Sequence, residues 1–255
     1  MKALLIDAGN TRLKWGIATD GEIHRTGHIT QAKIREQGIG VLTTRLPQRV
    51  DAVIASNVAG TTFATRLAGI VGAHCGLDLR FAKTEREAYG VTNAYAQPRR
   101  MGVDRWVALV GARAELGTSC IVVDAGTAVT IDALDDSGRH LGGQILPGVR
   151  LMASALASDT SDLPETKLKK PGSFTGLALF AGNTADAIGS GSENAVVGAV
   201  ERALRTLQAD GHDPQLVLTG GDAARILEAL DEPALHLPNL VLQGLMHMLE
   251  SDGHL

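Results

Sequence analysis

The chain has 255 residues, a formal net charge of −4 and 44% apolar residues, which is enough to bury a core and excludes a disordered chain. A sequence pI near 6.1 and only four Phe, two Trp and two Tyr exclude the basic face or aromatic platforms of a nucleic-acid binder. The first apolar stretch stops at Asp7 and no later run approaches about 18 apolar residues, so neither a secretory signal nor a membrane partner is expected.

Taken in chain order, residues 3–11 (ALLIDAGNT) predict a strand that ends at Asp7 in a glycine turn. A second strand follows (LKWGIAT), then a tight turn at Asp20-Gly21 and a third strand. Residues 52–56 (AVIAS) predict another strand. Residues 104–115 place Trp106, Leu109, Val110 and Arg113 at helical spacing. Residues 120–128 (CIVVDAGTA) then repeat the opening pattern. Asp7 and Asp124 lie 117 positions apart, and the same interval separates Gly21 from Gly138 in the Ser137-Gly138 turn. The polar, proline-containing stretch 158–172 predicts an exposed loop or flap. Residues 193–208 carry a helical apolar stripe, and QLVLT at 215–219 predicts a further strand. Asp222 and Asn239 precede apolar helical runs as expected N-caps. Strand groups followed by helices, twice over, predict an α/β chain of two similar halves, 1–117 and 118–255, with a cleft between them. Cys75 and Cys120 fit neither a disulfide framework nor a four-ligand zinc site. They read as small buried hydrophobes of a cytoplasmic protein. The eight histidines show no metal-binding spacing and are expected in loops or at the surface.

An Asp at a strand end, followed by a Gly turn with Asn and Thr, suits phosphate: backbone N–H groups cradle it and the carboxylate holds a hydrated Mg²⁺. The same residues also make an ordinary capped hairpin turn. DAGTAVT at 124–130 repeats the arrangement. The sequence holds no P-loop and no dinucleotide-binding glycine fingerprint after a strand. Gly220-Gly221 ends QLVLT, where either a ligand approaches the backbone or the chain simply turns into a helix. In GVDRW, Asp104 is either a helix cap or a carboxylate able to accept a hydroxyl proton, and Arg105 offers a fork for an anion.

DAGNT at 7–11, GVDR at 102–105, DAGTAVTID at 124–132, GGQILPG at 142–148, AGNTADAIGSG at 181–191 and TGGDA at 219–223, in this order, resemble the type III pantothenate kinases. That family lies within the superfamily of acetate and sugar kinases, heat-shock chaperones and actin. The resemblance implies two actin-like (ribonuclease H-like) halves with a mixed sheet each, facing a central cleft. It implies ATP-dependent phosphorylation of pantothenate to 4'-phosphopantothenate, the first step of coenzyme A biosynthesis. Asp7, Ala8, Gly9, Asn10, Thr11, Arg12, Leu13 and Lys14 match the first phosphate loop, with Asp7 near Mg²⁺. Thr127 matches an ATP contact, and Asp124 the carboxylate associated with a monovalent cation, K⁺ or NH₄⁺. Gly102, Val103, Asp104 and Arg105 match the pantothenate-binding stretch, with Asp104 as proton acceptor; Tyr95 and Thr184 match further pantothenate contacts. A homodimer whose pantothenate site is completed at the subunit interface is implied. The alternatives are another small-molecule kinase of the superfamily or a non-catalytic regulatory accessory protein.

Overall fold

The computed structural model describes residues 1–159 and 167–253. The elements in chain order are β1 (Lys2–Ala8), β2 (Arg12–Thr19), β3 (Glu22–Thr30), α1 (Gln31–Gln37), β4 (Ala52–Asn57), α2 (Thr61–Cys75), β5 (Arg80–Phe81), a hairpin of β6 (Glu87–Ala88) and β7 (Val91–Thr92), α3 (Val103–Leu116), β8 (Cys120–Ala125), β9 (Ala128–Leu134), β10 (His140–Pro147), α4 (Val149–Asp159), α5 (Thr184–Ala209), β11 (Gln215–Thr219), α6 (Ala223–Leu227), β12 (Leu235–His236) and α7 (Leu240–Ser251).

The predicted repeat is present strand for strand. One five-stranded sheet runs β3-β2-β1-β4-β5 and the other β10-β9-β8-β11-β12. In each, three antiparallel strands continue into a parallel pair. The central strands β1 and β8 pair on both sides, and their Leu4, Leu5, Ile6, Ile121 and Val123 are fully buried, as such strands require. The first turn has Asp20 at φ 51 and Gly21 at φ 78, the pair of positive angles that matches strand twist in a two-residue hairpin.

Two compact units result, one of Met1–Glu115 joined by the segment from Asn239, the other Leu116–Pro238. This differs from a division at 117 and 118 that would leave the last helix with the second half. α7 packs instead on β1, β2 and β4, and its Gly244 lies so close to the Val107 carbonyl of α3 that a Cβ there would overlap it. The core of the first unit places Leu4, Ile6, Leu13, Trp15, Val53 and Ala55 of the sheet under Ile34, Leu42, Leu67 and Val71. That of the second places Ile121, Val123, Val129, Ile131 and Leu216 against Val196, Val200 and Leu204 of α5, spaced four apart.

α5 is longer than the predicted 193–208, because Asn183 caps it by accepting from the Asp186 N–H at 3.0 Å. Asp222 and Asn239 do stand before α6 and α7, but neither side chain caps its helix. Asp222 accepts from Arg150 Nε and Nη2 at 3.2 and 3.0 Å instead. Of the predicted 158–172 flap, Ser158 and Asp159 close α4, residues 160–166 lie outside the described residues, and Lys169 and Lys170 are exposed. Among the histidines, His140 departs from expectation: it is fully buried, with Nε2 3.0 Å from Asp132 Oδ1. Both cysteines carry free thiols; Cys120 is buried, and burial pushes the half-buried Cys75 thiol up. No described helix is long and apolar enough to cross a membrane.

Candidate active site

Asp7 sits at the end of β1, opposite Lys14 of β2. The turn between them closes through Gly9 N–H to the Arg12 carbonyl at 3.0 Å. It is fixed from α1 by buried Gln31, whose Nε2 donates to the Gly9 carbonyl at 2.9 Å and whose N–H donates to the Thr11 carbonyl at 2.8 Å. Asn10, Thr11 and Arg12 are exposed, whereas Ala8 and Leu13 point into the core. Gln31 lies outside every motif, so its support of this loop appears only in the structure.

A second group forms at the start of α3. Helix geometry begins at Val103, so Asp104 lies inside the first turn and is not the cap. Its Oδ1 accepts from the Arg105 N–H at 2.8 Å. Gly102 leaves room for that carboxylate, since a Cβ there would stand 2.7 Å from Asp104 Oδ1. Arg105 is buried. Its Nη1 donates to the Tyr95 hydroxyl at 2.9 Å, and its guanidinium lies 5.7 Å from the Tyr95 ring centre. The Tyr95 segment is itself clamped: Tyr95 N–H donates to Asn93 Oδ1 at 2.9 Å, and Arg86 donates to the carbonyls of Tyr95 and Ala96 at 2.8 and 2.7 Å. Tyr95, Asp104 and Arg105, which stand in two separate sequence segments, thus belong to one cluster. Arg86 and Asn93, absent from the sequence reading, hold it.

In the second unit Asp124 ends β8 and Thr127 stands exposed on the following turn. Gly148 N–H donates to the Thr127 carbonyl at 2.8 Å, and Asp222 N–H to the Ala125 carbonyl at 2.9 Å. Gly220 has φ +96, and a Cβ at Gly220 or Gly148 would overlap the backbone of residues 125–127. DAGT, the end of GGQILPG and TGGD are therefore one packed unit, and Gly220 serves the approach of the chain to itself. Thr184 opens α5, beside the Asn183 cap. There Asp186 pairs with Lys169 Nζ at 2.7 Å and accepts from Asn183 Nδ2 at 2.7 Å. Lys169 first, then Asn183, holds the Asp186 carboxyl below the usual carboxylate range.

Residues 3–206 match the type III pantothenate kinase family. A type III pantothenate kinase of Aromatoleum aromaticum is 40% identical over 252 residues, covering 98% of each chain. One of Azoarcus is 39% identical, covering 98% of this chain and 91% of its own. Among solved structures, a Campylobacter jejuni chain assigned to a Baf family of transcriptional activators superposes with a TM-score of 0.62 at 21% identity, over 99% of this chain and 100% of its own. A Sinorhizobium meliloti chain assigned as a 2-dehydro-3-deoxygalactonokinase gives 0.62 at 16% identity over the same shares. At such identities the structures speak for the fold alone, an actin-like kinase fold with two mixed sheets. With a family match over residues 3–206 and relatives of about 40% identity that cover nearly the whole chain, the chain belongs to the type III pantothenate kinase family.

Proposed function

We propose that this chain transfers the γ-phosphoryl group of ATP to the primary hydroxyl of pantothenate, giving 4'-phosphopantothenate and ADP for coenzyme A biosynthesis. The observation that carries the reading is the Tyr95–Asp104–Arg105 cluster in a chain whose match to the family covers residues 3–206. Asp104 accepts the hydroxyl proton as the oxygen attacks phosphorus and the bond to the ADP oxygen breaks. Arg105, held against Tyr95, offers its guanidinium to the pantothenate carboxylate, a charge-assisted contact. Lys14, Thr11 and the backbone of residues 8–13 bind phosphate oxygens, and Thr127 contributes from the second loop. The residues present fit a hydrated Mg²⁺, which takes one or two carboxylates, with water and phosphate completing its shell. Asp7 would hold it and Asp124 a monovalent cation, K⁺ or NH₄⁺. When bound, the divalent ion neutralises charge on the transferring group. Positioning and electrostatics supply the acceleration.

A homodimer accords with the surface. Among the described residues, six of the eight exposed large apolar side chains lie between positions 141 and 180, with Ile145 at 63%, Leu177 at 89% and Phe180 at 81% exposure. Thr184 then completes the pantothenate site at the subunit interface. We place the protein in the cytoplasm, where its free thiols stay reduced. The test is direct: purified protein with ATP, Mg²⁺ and K⁺ is offered pantothenate and a panel of sugars. ATP-dependent phosphorylation of pantothenate is expected, and phosphorylation of a sugar alone overturns the reading.

A further inference from the structure

Ser56, the last residue but one of strand β4, lies in none of the motifs. In the parallel ladder Ser56 stands opposite Asp7, and on the other side of β1 Asp7 stands opposite Lys14. Directly opposed residues leave a sheet on the same face, and their successors leave on the other. Ala8, Ala55 and Leu13, the neighbours of this row, belong to the apolar core beneath the sheet. Ser56, Asp7 and Lys14 therefore share the opposite face, at the carboxyl ends of β1 and β4, the edge where open α/β sheets take ligands.

Ser56 is fully buried, and its Oγ has no hydrogen-bond partner among the described residues. A buried hydroxyl left unsatisfied opposes folding, and an alanine would serve the packing better. The strand end is held in place around it: Val58 N–H donates to the Ala8 carbonyl at 3.0 Å, and Asn57 Nδ2 donates to the Gly60 carbonyl at 3.2 Å. A fixed, buried hydroxyl with no partner of its own, level with Asp7 and Lys14, has the character of a ligand-binding group.

We propose that Ser56 Oγ is a binding residue for nucleotide, hydrogen-bonding the oxygen shell of the metal-bound triphosphate beside Asp7. This rests on the reading of Asp7 as the carboxylate of the nucleotide site. The test is calorimetric titration of Mg·ATP into the free protein, without pantothenate, together with thermal unfolding of free and nucleotide-saturated protein. Ser56→Ala is expected to unfold at the same or a higher temperature when free. It should bind Mg·ATP about three- to tenfold more weakly, the loss of one hydrogen bond, and show a smaller rise in unfolding temperature on saturation. Asp7→Asn is titrated alongside. Weakened binding in Asp7→Asn with wild-type affinity in Ser56→Ala overturns the role of Ser56 and leaves that of Asp7 standing. Wild-type affinity in Asp7→Asn overturns both. A lower unfolding temperature of free Ser56→Ala with unchanged affinity makes Ser56 a packing residue and overturns the proposal. Should Ser56→Ala not accumulate as folded protein, Ser56→Cys, close in size and a weak hydrogen-bonding group, is read by the same titration against the same outcomes.

Discussion

Asp104 carries two sequence readings that the local structure separates. As a cap it would stand outside the helix and satisfy the first turn; instead it lies within that turn, where its Oδ1 accepts from the adjacent Arg105 N–H. A helix N-terminus favours its ionised form, the form that accepts a proton. Replacing the carboxylate by an amide removes the acceptor and keeps the shape. Asp104→Asn is therefore expected to lower kcat about 10²–10⁴-fold, with an unaltered unfolding temperature; steady-state kinetics and thermal unfolding check the two halves of that statement. The partners of this cluster were legible unequally. GVDR marks Asp104 and Arg105 through its resemblance to the family motif, whereas Arg86 and Asn93 act through backbone carbonyls and an amide hydrogen bond, contacts that leave no periodicity in a sequence.

At the scale of elements, turns and buried ion pairs decide stability. Asp135 anchors the turn between β9 and β10, accepting from the Ser137 hydroxyl at 2.6 Å and from the Ser137 and Arg139 N–H groups at 2.9 Å each. Partial burial works to raise its pKa, but the Ser137 hydroxyl, the two N–H groups and His212 outweigh it and hold the carboxyl below the usual range. A depressed folded pKa means stability present above the unfolded value of about 4 and lost as pH falls through the folded one. Asp135→Asn should flatten the loss of stability below about pH 4, measured by urea unfolding across that range. Glu193 of α5 and Arg225 of α6 form a buried pair at 2.7 Å, and Arg225 Nη2 also donates to the Lys169 carbonyl at 2.6 Å. Glu193→Ala leaves the guanidinium buried without its carboxylate, at a cost of about 3–5 kcal/mol, read from denaturant unfolding. Neither residue lies in a sequence motif; their burial and pairing come from the packing of α6 against α5.

For the whole molecule, the exposed apolar side chains of residues 141–180 bear on assembly. A charge placed among them opposes burial against a second copy. For the proposed homodimer, Ile145→Asp, on the edge strand β10, is expected to give monomer in sedimentation at micromolar concentration where the unaltered protein gives dimer, and to raise KM for pantothenate; a dimer unchanged by it removes β10 from the interface. The repeat at an interval of 117 residues announced two similar sheets because a turn chemistry, a strand period and an Asp at a strand end are local properties. Helix-forming stripes at α3 and α5 were legible for the same reason. The fate of the last helix was not. α7 joins the first unit because Gly16, Gly244 and Val107 let it lie close against β2 and α3, a fit between segments more than a hundred residues apart. So the sequence by itself determined the succession of strands and turns that opens each half and the family that its motifs resemble. Tertiary structure alone decided that Gly220 and Gly148 serve the packing of loops on one another, that Asp222 binds Arg150 rather than capping a helix, and that Ser56 is buried level with Asp7. Local rules act over a few residues, whereas burial, close approach and hydrogen-bond satisfaction depend on which distant segments meet.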